Sequence, residues 1–179
     1  SGSMRQRLGA ARTALEMFIS TGHPEDEYFL VTFNERVSAP LETSDGATLL
    51  RHLRGLKPEG DTALYDAIHR ALGRLHESRH RRRALLIVTD GVDNHSRHKL
   101  RDVQQQLREA DTTIYVIGSP EPSSSGCGRL CHFEVTARLD SLAAMSGGKA
   151  FFPHSLESME QAVSQIAVEL RRQYSLGYM

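Results

Sequence analysis

Residues 84–90 read Ala-Leu-Leu-Ile-Val-Thr-Asp, five apolar residues in a row followed by a polar end. An apolar run of this length fits a β-strand that is buried on both faces, as the strands of parallel sheets are. Two other runs have the same character, residues 28–33 (YFLVTF) and residues 113–117 (TIYVI). The sequence therefore predicts three strands of a buried sheet.

Helices are predicted between these strands, because apolar residues recur there every three or four positions. The predicted helices cover residues around 8–18, 47–56, 64–75, 100–110, 139–145 and 156–170. A more polar strand at residues 36–41 suits a sheet edge, and a short strand is predicted at 149–152. Residues 119–128 are rich in Ser, Pro and Gly and are predicted to be a loop. This alternation defines an α/β fold with a doubly wound, mostly parallel, Rossmann-like sheet flanked by helices and one antiparallel edge strand.

Composition limits the classes of partner. The chain has 179 residues, 22 of them basic and 22 acidic, and 39% are hydrophobic. At about 100–200 residues per domain, residues 1–179 are predicted to form a single domain. The balanced charge argues against nucleic acid, whose binding modules usually carry a basic excess. No apolar run approaches the roughly 18 residues that a membrane-spanning helix requires.

Three polar clusters lie where doubly wound sheets bind ligands, outside the carboxyl ends of the strands. They are residues 1–4 (SGSM), 60–62 (GDT) and 89–94 (TDGVDN). Each has an ordinary structural interpretation, since Ser3 and Thr62 can be helix N-caps and Asp90 can begin a turn. Together, however, they bring hydroxyl groups and a carboxylate to one end of the predicted sheet.

The combined pattern resembles the metal-ion-dependent adhesion site of von Willebrand factor A domains. That site uses Asp-x-Ser-x-Ser on a first loop, a Thr on a second and an Asp on a third. The matching residues in this chain are Ser1, Ser3, Thr62 and Asp90. The resemblance covers nearly the whole chain, and residues 31–34 (VTFN) and 173–178 (QYSLGY) are similar to a bacterial subgroup of the family.

One part of the family pattern is missing from residues 1–179. The first Asp of the motif should lie two positions before Ser1, at the end of a central apolar strand. We therefore expect a single von Willebrand factor A-like domain whose first central strand is encoded upstream of Ser1. Without that strand, the sheet would have a gap at its centre.

The resemblance implies a protein-binding module that depends on a divalent metal, and not an enzyme. Oxygen ligands suit Mg²⁺, and also Mn²⁺ or Ca²⁺. Ser and Thr hydroxyls are neutral and do not cancel the charge of the metal. The site would therefore keep positive charge and an exchangeable position, which an Asp or Glu of a protein partner can occupy.

Two other functions are compatible with the sequence. Asp90 and Asp93 can form a carboxylate pair that holds magnesium in a metal-assisted phosphohydrolase. Alternatively, the domain is a scaffold that binds its partner without metal. A dinucleotide-binding Gly-x-Gly-x-x-Gly motif in its strand–helix context, a P-loop and a Gly-x-Ser-x-Gly nucleophile elbow are all absent from the sequence.

The related bacterial domains are often exported, which favours a location outside the cytoplasm or in the cell envelope. Cys127 and Cys131 would then form a disulfide that closes a short loop, whereas in the cytoplasm they would remain thiols.

Overall fold

The computed structural model of the protein describes residues 9, 12–13, 15–20, 22, 26–43, 45–55, 61–80, 82–89, 93–118 and 129–171. The strands in this part of the chain are β1 (Tyr28–Leu30), β2 (Leu41–Thr43), β3 (Ala84–Thr89), β4 (Thr113–Gly118) and β5 (Ala150–Phe151). The helices are α1 (Gly46–Gly55), α2 (Leu64–His76), α3 (Leu100–Glu109), α4 (Arg129–Met145) and α5 (Leu156–Arg171). The described residues between 9 and 20 are also helical and are called the N-terminal helical segment.

Strands β3, β4 and β5 form a parallel sheet in that order. Ala84 is aligned with Thr113, and Val116 is aligned with Ala150. Each connection between these strands contains a helix, α3 after β3 and α4 after β4, because parallel neighbours require a long crossover.

Side chains of β4 point alternately to the two faces of the sheet. Ile114 and Val116 belong to a core cluster with buried side chains of α2, α3 and α4. Tyr115 and Ile117 belong to a second cluster with α5, against which Phe18 of the N-terminal helical segment packs. Helices therefore cover both faces, and the predicted doubly wound α/β fold is confirmed.

Strands β1 and β2 form a separate antiparallel sheet, in which Tyr28 lies opposite Thr43. An antiparallel edge strand is thus present, but the predicted bounds of 36–41 are wrong. The chain turns at Asn34, whose side-chain oxygen accepts a hydrogen bond from the Arg36 N–H at 2.9 Å, and Phe33 and Val37 form an isolated bridge across this turn. β1 ends at Leu30, before the predicted end at residue 33, and its partner in the sheet is Leu41–Thr43.

Helix α4 begins ten residues before the predicted start at 139. The buried residues Val135, Leu139 and Leu142 of this helix have helical spacing. Phe133 is 73% exposed, so it does not continue this apolar stripe towards the start of the helix. Cys131 lies within α4, and Cys127 lies outside the described residues, so the predicted disulfide stays a prediction. None of the helices in the described ranges is long and apolar enough to cross a membrane.

Two glycines end α4, as predicted. Gly147 has a φ of 78°, a left-handed conformation that favours glycine, and the Gly148 N–H donates to the Ala143 carbonyl at 3.0 Å. A Cβ atom at Gly148 would lie only 1.9 Å from the carbonyl oxygen of Ile114 in β4. The close approach of the two backbones therefore requires glycine at position 148.

We expect Gly148→Ala to lower the free energy of unfolding by about 1–3 kcal/mol, because the methyl group would collide with the backbone of β4. Gly73→Ala is the matched control, since Gly73 lies inside α2 with only Gln106 Nε2 at 4.0 Å from an added Cβ. This variant should raise the free energy of unfolding by roughly 0.5–1 kcal/mol through helix propensity. Urea denaturation measures both values, and equal effects would contradict the close approach.

Candidate functional site

Thr62 lies immediately before α2, beside residues 93–98 of the segment that joins β3 to α3. Of the four predicted metal ligands, the structure describes Thr62 alone. Ser1, Ser3 and Asp90 lie outside the described residues. The surroundings of Thr62 therefore carry the structural argument about the site.

The backbone of Thr62 is held on both sides by the β3–α3 segment. Its N–H donates to Asn94 Oδ1 at 2.7 Å, and its carbonyl accepts from the N–H groups of Asn94 and His95 at 3.1 and 3.2 Å. The side-chain amide of Asn94 also donates to Asp61 Oδ1 at 3.1 Å. These bonds join the two predicted ligand-bearing loops and fix the position of Thr62.

The hydroxyl of Thr62 takes no part in this network. It has no hydrogen-bond partner among the residues that the structure describes, and its residue is half-buried. The N-cap of α2 is Ala63, and no side chain of the cap residue bonds to the helix. The alternative interpretation of Thr62 as an N-cap is therefore wrong.

The first turn of α2 is capped instead by side chains from the β3–α3 segment. Asp93 Oδ1 accepts from the Tyr65 N–H at 3.2 Å, and Ser96 Oγ accepts from the Asp66 N–H at 3.1 Å. The Ser96 hydroxyl in turn donates to Asp93 Oδ1. A carboxylate is favourable at the positive end of a helix, so Asp93 stabilises the start of α2.

Asp66 forms a second connection between α2 and the same segment. Its carboxylate accepts from the N–H groups of Arg97 and His98, and His98 Nδ1 lies 2.7 Å from Asp66 Oδ1. The His98 ring stacks on His69 at a centroid distance of 3.9 Å. Burial alone would raise the pKa of Asp66, but the hydrogen bonds from His98 and Arg97 outweigh it and hold this pKa below its ordinary value.

The sequence analysis placed Asp93 and Asn94 in the third polar cluster but did not predict what these side chains bond to. It did not identify three further residues of the network, Asp66, Ser96 and His98. The available signals were an acidic residue in the first turn of a predicted helix and two capping residue types, Asp93 and Ser96, three positions apart after a strand. Neither signal names the partner, because the partners lie about thirty positions away in the sequence.

The described part of this site fits a hard divalent cation. The Thr62 hydroxyl is a neutral oxygen donor on a fixed backbone, and the partly exposed carboxylate of Asp61 lies on the neighbouring residue. Within the described ranges, no group of three or more His, Cys, Asp or Glu side chains can hold a metal by itself. Binding by this site would therefore require the ligands predicted at Ser1, Ser3 and Asp90.

The fold is that of a von Willebrand factor type A domain. A family model described as "von Willebrand factor type A domain" matches residues 1–92, and the chain belongs to this family. Members of the family are generally interaction modules. No curated protein matches the sequence.

Solved structures similar to this chain include BatB from Bacteroides thetaiotaomicron (17% identity, TM-score 0.71, covering 93% of this chain and 89% of that chain). An aerotolerance-related membrane protein from Bacteroides fragilis is 17% identical, with a TM-score of 0.66, and the match covers 91% of this chain and 89% of that chain. A von Willebrand factor type A protein from Catenulispora acidiphila is 17% identical, with a TM-score of 0.68, covering 95% of this chain and 40% of that chain. These similarities show the fold.

We expect Asn94→Ala to loosen the Thr62 loop, because it removes the acceptor of the Thr62 N–H and the bond to Asp61. The free energy of unfolding should fall by about 1 kcal/mol, and the Thr62 amide should exchange its hydrogen faster. Glu109→Ala, an exposed substitution at the end of α3, is the control. Unchanged exchange at Thr62 in the Asn94 variant would contradict the described network.

The lowered pKa of Asp66 makes part of the stability depend on pH. A carboxylate whose folded pKa lies below its unfolded value stabilises the fold above the unfolded pKa, near 3.8, and this contribution is lost as the pH falls through the folded pKa. In the Asp66→Asn variant, the free energy of unfolding should therefore fall less between neutral and acidic pH than it does in the parent protein. Denaturation between about pH 3 and 7 tests this, with the exposed Asp140→Asn as the control for removing one surface carboxylate; equal effects of the two substitutions would contradict the role of the Asp66 hydrogen bonds.

Proposed function

We propose that this domain binds a protein partner through a divalent cation, Mg²⁺, Mn²⁺ or Ca²⁺, which is held by the set Ser1, Ser3, Thr62 and Asp90. The observation that supports the proposal is the state of Thr62: its backbone is fixed by Asn94 and His95, while its hydroxyl is left without a partner among the described residues. Most buried polar side-chain atoms have a hydrogen-bond partner, so a half-buried hydroxyl that has none among the described residues is consistent with a ligand. Membership of a family of interaction modules supports the same function.

The residue types explain why such a site would bind rather than react. Three hydroxyls and one carboxylate leave a divalent cation with net positive charge. A carboxylate from the partner can complete the coordination and neutralise that charge. Because the Thr62 loop is already held in place by the β3–α3 segment, binding would require little additional ordering of this loop.

The phosphohydrolase alternative is less favoured because of Asp93. One of its carboxylate oxygens already accepts hydrogen bonds from the Tyr65 N–H and the Ser96 hydroxyl. The carboxylate pair with Asp90 would have to compete with this capping role.

A location in the cell envelope is part of the proposal. The structurally similar protein from Bacteroides fragilis supports it, because that protein is described as a membrane protein. Fractionation of cells that produce the protein, followed by mass spectrometry without reduction, tests this location. A disulfide between Cys127 and Cys131 is expected in the envelope fraction, and a cytoplasmic protein with two thiols would contradict it.

The metal site is tested by calorimetric titration of Mg²⁺ and Mn²⁺ into the protein as its gene encodes it. We expect Thr62→Ala to lower the affinity for the metal by about tenfold or more. Thr62→Ser, which retains a hydroxyl, should bind the metal nearly as tightly as the parent protein does. Asp90→Ala should weaken it further, because it removes the charged ligand. None of these three variants should unfold the domain. If the parent protein does not bind Mg²⁺ or Mn²⁺, or if all variants bind them equally, the proposed metal site is wrong.

Carboxylate recognition is tested separately with an array of peptides in which every Asp or Glu has an Asn or Gln counterpart. In Mg²⁺, we expect the protein to bind acidic peptides and not their amide counterparts, and EDTA should abolish the binding. Binding that persists in EDTA would identify a metal-independent scaffold instead.

A further inference from the structure

His69 is a titratable residue of α2 that the proposed metal site does not use. Its ring stacks on His98 of the β3–α3 segment, with a centroid distance of 3.9 Å and an angle of 21° between the ring planes. The Nδ1 atom of His69 is buried and has no hydrogen-bond partner in the part of the chain that the structure describes. The ring therefore joins α2 to the segment by packing, without a hydrogen bond from Nδ1.

Helix α3, which packs against α2, does not supply a partner for this atom. The side chain of Gln106 in α3 donates from Nε2 to the carbonyl oxygen of His69 at 3.1 Å. Its Oε1 atom is buried and also lacks a partner among the described residues, so Oε1 does not bond to Nδ1 of His69. A buried position of this kind suits a neutral ring and is unfavourable for a charged one.

Protonation changes what the ring of His69 requires. A neutral imidazole has one N–H group and an imidazolium has two, so the charged ring carries a hydrogen on Nδ1 whichever neutral tautomer is present. At His69 this N–H group would be buried without an acceptor. Histidine side chains change their charge in the range from about pH 8 to 5, so this requirement arises under mildly acidic conditions.

Asp66 compensates a positive charge on His98 and not a second one on His69. Its Oδ1 atom lies 2.7 Å from His98 Nδ1. Burial opposes the ionisation of Asp66, but hydrogen bonds from His98 and Arg97 outweigh it and hold the pKa of this carboxyl below its ordinary value. Asp66 is therefore ionised at mildly acidic pH. With both rings charged, two cations would lie 3.9 Å apart and share this one counter-ion.

The other charged groups of the three elements that meet at the stack do not relieve this repulsion. Asp93 accepts from the Tyr65 N–H at 3.2 Å, and Asp102 accepts from the Lys99 N–H at 2.8 Å, so both carboxylates are bound at helix starts. The remaining nearby groups carry or can gain a positive charge, and they are Arg70, His95, Arg97, Lys99 and Arg101.

We infer that the stack of His69 and His98 is an acid-sensitive switch between α2 and the β3–α3 segment. The switch is closed while His69 is neutral, and it opens as the pH falls from about 7 to 5, because the charged ring leaves the stack to bring Nδ1 into water. Opening releases Arg97 and His98, whose N–H groups bond to α2 beside the stack. It also loosens the Thr62 loop, which the same segment holds.

The switch has a consequence for binding that rests on the proposed function, whereas the switch itself does not. If the Thr62 hydroxyl is a metal ligand, a looser Thr62 loop lowers the affinity for the metal. The domain would then hold its partner at neutral pH and release it more readily in mild acid.

Hydrogen exchange followed by NMR in the absence of metal tests the switch in the protein as its gene encodes it. Rates are compared as protection factors, which removes the intrinsic dependence of exchange on pH. We expect the protection of the Arg97 and His98 amides to fall about two- to tenfold between about pH 7 and 5, the factor that corresponds to the loss of one ring stack. Unchanged protection of both amides would overturn the inference.

The substitution His69→Phe separates the switch from a general effect of acid, because a phenyl ring can stack on His98 and cannot be protonated. We expect the protection of the Arg97 and His98 amides to stay constant in this variant between about pH 7 and 5. His76→Phe, which replaces an exposed histidine at the end of the same helix, is the matched control and should keep the pH dependence of the parent protein. The same pH dependence in His69→Phe as in the parent would overturn the inference.

The parent protein also allows a test that needs no variant. In one NMR titration, we expect the ring signals of His69 and the amide signals of Arg97 and His98 to shift together with a common midpoint. A His69 ring that titrates while both amides keep their positions would overturn the inference even if His69→Phe does not fold.

The consequence for binding is measured as the affinity for Mg²⁺ at about pH 7.5 and 5.5. We expect the parent protein to lose about two- to tenfold more affinity on acidification than His69→Phe does. An equal loss in both proteins would show that the switch does not act on Thr62. Absence of Mg²⁺ binding at either pH would count against the proposed function and leave the exchange result standing.

Discussion

The burial of β4 on both faces is the constraint on which the rest of the domain depends. Alternate residues of this one strand anchor two separate layers of helices, with Ile114 and Val116 in one cluster and Tyr115 and Ile117 in the other. All four side chains are at most 2% exposed. A polar group in these positions loses its water and needs a partner inside the protein, as the Tyr115 hydroxyl has in Glu169, so the other three positions are apolar. The positions of α2 to α5 follow, since each of these helices needs an apolar surface to cover.

The same constraint explains which elements the sequence could predict. Strands β3 and β4 were predictable because burial on both faces leaves a continuous apolar run, which little else in the chain imitates. Strand β2 was misplaced because it has only three residues and an exposed Glu42 at its centre, so no apolar run marks its position. The start of α4 was missed because its second turn has an exposed Phe133 and no apolar stripe extends through it.

The sequence could predict which residues belong to the candidate site, but it could not predict the contacts that hold them. Thr62 could be selected because its spacing from the helix and from Asp90 resembles a family pattern. Its environment depends on Asn94 and Asp93, which reach it only after the chain has passed through α2 and β3. Pairs of this kind are set by tertiary structure, and no local rule of helix capping identifies them. The result is a loop in which the N–H and C=O of Thr62 bond to a distant segment, while its hydroxyl has no partner among the residues that the structure describes.

The division into two sheets has a consequence for the nascent chain. β1 and β2 are synthesised before β3, and roughly 50 residues separate β1 from β3, which takes several seconds at about 5–20 residues per second. During that time the β3–β4–β5 sheet cannot shield the β1–β2 hairpin, and exposed strand edges recruit other strands. Asp26 and Glu27 stand directly before β1, and Glu42 lies in the middle of β2. Their like charges repel a second nascent hairpin and so protect the domain from aggregation while it is being synthesised.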